Sequence, residues 1–120
     1  MKADAQQFIG LLFASRDYAH KAHLATESYA QHKALNKFYE GIIDLADSFS
    51  EAWMGRNLIK LGEIPNITPP KGEPLTVMKR FLEVVEDTRD FVGDDSCLNN
   101  IIDEIVGLYL STIYKLKFLK

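Results

Sequence analysis

Cysteine is almost missing from this chain: Cys97 stands alone among 120 residues. No disulfide can form within one copy, and a reducing, cytoplasmic setting is the expected one. Cys97 itself reads as a small core or boundary residue at a helix start. Proline is confined to one place, with Pro65, Pro69, Pro70 and Pro74 all inside GEIPNITPPKGEP at 62–74. The rest of the chain is free of the strongest helix breaker. No apolar run approaches the roughly 18 residues that suggest a membrane span. The opening MKADAQQFIG is interrupted by Asp4, Gln6 and Gln7 and does not read as a signal peptide. Basic charge is not in excess either, since 14 Lys and Arg face 17 Asp and Glu for a net −3. That balance argues against nucleic acid as a partner, and Lys115, Lys117 and Lys120 read as a match to a helix-end dipole. Alternation with period two is nowhere long enough for a strand. A glycine-rich phosphate loop, a zinc-ribbon cysteine pattern and a Ser–His–Asp arrangement are also absent.

What is present is helical periodicity. At 47% hydrophobic and 26% charged residues, the chain is expected to fold on one core, burying roughly 65% of its extended surface. Apolar positions at intervals of three and four predict four helices, at about 4–24, 28–61, 74–92 and 96–118. The first carries Phe8, Leu12, Ser15, Ala19 and Ala22, and the second Leu35, Phe38, Ile42, Ala46, Phe49 and Trp53. The third carries Val77 or Met78, Phe81, Val85, Thr88 and Val92, and the fourth Leu98, Ile101, Ile105, Tyr109, Thr112 and Leu116. Thr26 or Ser28 is the cap of the second helix, Pro74 a first helical residue, Gly93 a helix stop, and Asp95 or Ser96 the cap of the fourth. The prediction is a single all-α domain, a four-helix bundle over 1–120 with a short Pro-rich connection between helices 2 and 3. The long second helix leaves Trp53, Met54, Leu58 and Ile59 in need of a cover, either the Pro-rich segment or another subunit.

Two sets of polar residues draw attention. Glu40, Asp44, Asp47 and Glu51, spaced 4, 3 and 4, form one stripe opposite the apolar face of the second helix. Like charges at these spacings repel by a few tenths of a kcal/mol per pair. A cation would turn that repulsion into ligation, but only on the outside of the bundle and closed by a second protein surface. His20, His23 and His32 are the only histidines and flank the turn between the first two helices. Imidazole with carboxylate suits Fe, Zn or Mn rather than calcium. His23 is expected at the surface or boundary.

The intervals His20–eleven–His32–fourteen–Asp47–three–Glu51 resemble those of the Dps family, the ferritin-like DNA-protecting proteins from starved cells. The stretch HKALNKFYEGIIDLADSFSE, residues 32–51, also looks like that family's second helix. The resemblance implies a ferritin-like bundle in a homo-oligomer, at least a two-fold dimer. It implies a ferroxidase site shared between copies, where His20 and His32 from one meet Asp47 and Glu51 from the other. Asp44 would be a further acid near that site, and iron the metal, with Zn or Mn as alternatives. The chain departs from the family in having Lys21 and ATES after the first histidine, no lysine-rich tail, and only residues 62–74 between helices 2 and 3. Thirteen extended residues reach roughly 43 Å, so a ferritin-like crossover and a plain up-down connection both stay open. The alternative function is a non-catalytic structural or adaptor module that assembles through its helix surfaces.

Overall fold

The computed structural model describes all residues, 1–120. Four α-helices follow one another: α1 (Lys2–Ala25), α2 (Tyr29–Asn57), α3 (Pro74–Thr88) and α4 (Ser96–Phe118), with a 3-10 turn, Arg89–Val92, after α3. No strand is present, and no helix is long and apolar enough to cross a membrane. The four predicted helices are therefore the observed ones, with shifted ends.

Each shift has a local cause. Ser28 caps α2 by accepting from the Gln31 N–H, and Asp95 caps α4 by accepting from the Cys97 and Leu98 N–H groups. Helix α2 stops at Asn57 rather than Leu61 because Leu58 turns into the left-handed region at φ 54°. Leu61 then lies outside the helix yet is buried, 3% exposed. Helix α3 ends at Thr88 rather than Val92, and its last turn tightens into the 3-10 form before Gly93, which takes φ 64°. In α4 the core residue is Ile102 instead of Ile101, because the buried set Leu98, Ile102, Ile105, Tyr109, Thr112 and Leu116 alternates four and three without a break. Cys97 is exposed, not a core residue.

Helix order around the bundle follows from which helices touch. Helices α1 and α4 each pack on both α2 and α3, while α1 and α4, like α2 and α3, lie on the diagonals. All neighbours are antiparallel. The end of α2 meets the start of α4 through Arg56 and Asp95, whose Nε–Oδ2 distance is 2.7 Å. The start of α1 meets the end of the α3 segment through Phe8 and Phe91, and its later turns meet α3 through Tyr18 and Phe81. Helices α2 and α3 consequently run parallel, and residues 58–73 must cross the length of the bundle between them.

That crossing is tied to α1 along its course. Gln6 Nε2 donates to the Leu61 and Glu63 carbonyls, and Tyr18 Oη donates to the Gly72 carbonyl. Between these anchors the strap lies against Gly10, where a Cβ would come within 2.8 Å of the Pro65 carbonyl oxygen. The connection is a crossover, so the simple up-down alternative is excluded. The core it encloses is centred on Phe8, Leu12, Phe38, Ile42, Phe49, Phe81, Ile105 and Tyr109, each at most 2% exposed. Trp53 is buried by its own chain, but Leu58 and Ile59 remain 88% and 49% exposed, so the strap does not cover them.

Candidate functional site

The three histidines gather at one end of the α1–α2 hairpin. His23, in the last turn of α1, is 7% exposed, which corrects its expected surface or boundary position. Its ring stacks on that of His32 with centroids 3.7 Å apart. His23 Nδ1 lies 2.9 Å from the His32 carbonyl, and His32 Nδ1 lies 3.0 Å from the His23 carbonyl. A carbonyl only accepts, so both Nδ1 atoms carry hydrogen and donate. These reciprocal bonds clamp the two helices on either side of the turn. His20 stacks instead on Tyr39 at 4.2 Å. Tyr39 Oη donates to Asn36 Oδ1, and Asn36 Nδ2 donates to Glu40 Oε1. Glu40 is thus the one carboxylate of the acidic stripe bound to this cluster.

The other carboxylates lie elsewhere. Asp44, Asp47 and Glu51 are exposed and enter no salt bridge within the chain. At 1.5 Å per residue, Asp47 stands about 22 Å and Glu51 about 28 Å along α2 from His32. No group of three or more His, Cys, Asp or Glu side chains converges to hold a metal ion. Within one copy, then, His20, His32, Asp44, Asp47 and Glu51 do not fit a single iron, zinc or manganese ion. The structure unites His20 with the hairpin clamp and leaves the acids as a separate outward row. The clamp partner His23 had a sequence signal: it follows Ala19 by four residues, in phase with the buried Leu12–Ala19 stripe.

A second feature lies on α4. Leu110, Tyr114 and Phe118, spaced by four, are 52%, 56% and 65% exposed on the side away from the buried set. The Tyr114 and Phe118 rings are 5.7 Å apart. An amphipathic helix has one apolar face, whereas α4 carries a second one toward solvent. Scattered apolar residues on a surface are ordinary, whereas these three share one side of a single helix.

The chain belongs to the family of unknown function DUF5856, whose model matches residues 23–116. It is also similar to the "Uncharacterized 14.6 kDa protein in mobD-ri intergenic region" of Enterobacteria phage T4, with 29% identity over 113 residues covering 93% of this chain and 87% of that protein. No solved structure matches.

Proposed function

We propose that the chain is a non-catalytic helical module that assembles through its helix surfaces. The observation that carries this reading is a contrast. Asp44, Asp47 and Glu51 stand apart from the histidine cluster within a copy, while large apolar side chains of α4 stand in a row in water. His23 and His32 are spent on helix-to-helix hydrogen bonds and His20 on a ring stack against Tyr39, which is structural work. Assembly predicts a solution mass above one chain at moderate concentration, read by light scattering behind size exclusion. A mass of one chain at every concentration would sink the reading.

A second reading has its own support. One long crossover between the second and third helices is the connectivity of ferritin-like bundles, and Asp44, Asp47 and Glu51 face outward, where a second copy could bring imidazoles to them. On this Dps-like reading, the assembled protein oxidises Fe(II) at a site shared between copies. Anaerobic Fe(II) titration followed by peroxide separates the two. The assembly module shows the same background oxidation in wild type and Glu51→Ala, whereas a ferroxidase shows saturable oxidation that the variant loses.

A further inference from the structure

The geometry points to a second copy of this chain as the occupant of the outward α4 face, paired antiparallel about a two-fold axis beside Leu110. This rests on the assembly reading above and names its surface and partner. Charge along the face decides the partner and its direction. Asp103 and Lys117 stand seven residues before and seven after Leu110, which at about 100° per residue puts each about 20° from the Leu110 line, one on either side of it. A two-fold axis perpendicular to both helices sends height z to −z along that line. Asp103 of each copy therefore lies level with Lys117 of the other, at a sideways offset the long lysine side chain spans, twice over. Parallel pairing would instead set Asp103 against Asp103 and Lys117 against Lys117, which is repulsive at both ends.

Shape agrees with this register. Gly107 is exposed, and a Cβ added there would meet nothing within 4 Å. In the antiparallel register Tyr114 of one copy comes level with residue 106 of the other, one residue from Gly107, so that its ring sits beside an open shelf of backbone. Lys117 is exposed and has no ion-pair partner in its own chain, and Asp103 stays 64% exposed although its Oδ1 accepts from Arg89. Both groups are thus available across the seam. The self-complementary patch is what an isologous two-fold contact requires.

Sedimentation velocity over a hundredfold range of concentration tests this, with circular dichroism to confirm helix content. Wild type is expected to show a concentration-dependent monomer–dimer equilibrium, and Leu110→Glu or Tyr114→Lys should weaken it by about tenfold or more. Orientation is read in a Cys97→Ser background with a short thiol cross-linker. Chains carrying Asp103→Cys and Lys117→Cys should link to each other and not to themselves. Self-linking of each without mixed product would overturn the antiparallel pairing. An assembly of folded chains unchanged by both face variants would overturn the α4 surface and leave the assembly reading standing. A wild-type mass of one chain throughout would remove both.

Discussion

Ser15 and Tyr109 meet at the centre of the bundle, across the α1–α4 diagonal, with their hydroxyl oxygens 2.6 Å apart and both residues fully buried. Ser15 Oγ donates to the Leu12 carbonyl at 2.8 Å, so the phenol is the donor toward Ser15. The two possible deletions are then unequal. Tyr109→Phe leaves the Ser15 proton bonded and should cost about 0.5–1.5 kcal/mol, whereas Ser15→Ala strands a buried phenol and should cost about 1–3 kcal/mol. The double variant should cost less than the sum, because the stranded donor is gone. Urea denaturation of the three variants checks the order, and equal single costs would contradict the assigned donor. Burial also pushes the Tyr109 phenol well above its ordinary value. Its folded pKa being raised, its stabilising contribution is complete below about pH 10, the unfolded value, and is lost as pH rises further. Tyr109→Phe should therefore flatten the alkaline limb of the stability profile. At this scale the sequence is a partial guide. Ser15 and Tyr109 both fall on core stripes by spacing alone, but 94 residues separate them, and periodicity assigns a face without naming a partner. His23 shows the same limit, since its phase placed it near the core while its residue type suggested the surface.

Among the elements, the helices were readable because apolar spacing and capping agree: Ser28, Pro74, Gly93 and Asp95 all do what their positions imply. Ends decided by tertiary structure were not. Nothing local to Leu58 announces a left-handed residue, and α2 stops there because the strap must turn back along α1. Gly10 and Gly55 turn this into a measurement. Both are helical glycines, Gly10 in the interior of α1 and Gly55 in the last turn of α2, and Ala in place of a helical glycine ordinarily stabilises by up to about 0.5–1 kcal/mol. A Cβ at Gly55 meets nothing within 4 Å, so Gly55→Ala should give that gain. At Gly10 it would come 2.8 Å from the Pro65 carbonyl and 3.1 Å from Ile67 Cδ1. Strap backbone cannot swing away as a flexible side chain does, and Gly10→Ala should instead cost about 1–3 kcal/mol. Thermal melts of the pair should therefore move in opposite directions. A stabilising Gly10→Ala would mean the strap is not seated against α1.

Across the whole molecule, the acidic row of α2 and the lysines at the end of α4 stand apart. The α2 stripe keeps Asp44, Asp47 and Glu51 in water with no salt bridge, while Lys117 and Lys120 stand exposed at the far end of α4. The sequence showed the stripe and its outward direction. It could not show that the crossover is real, because that follows from bonds such as Gln6 to Glu63, 57 residues apart, nor what faces the stripe in an assembly. Asp47 is the position at which to ask, since it has a like charge both three residues before it and four after. Asp47→Asn removes two repulsive pairs, and a folded single copy should gain a few tenths of a kcal/mol from each. The gain should vanish near 1 M salt, where the screening length is about 3 Å. Denaturant melts at low and high salt, run at concentrations where the chain is one copy, read this directly. The same variant at high concentration then distinguishes the two uses of the stripe. If the acids are merely solvated, Asp47→Asn assembles through α4 as wild type does. If they meet imidazoles of another copy around a cation, the variant is the more stable chain and the weaker assembler, a combination that repulsion between exposed carboxylates cannot produce alone.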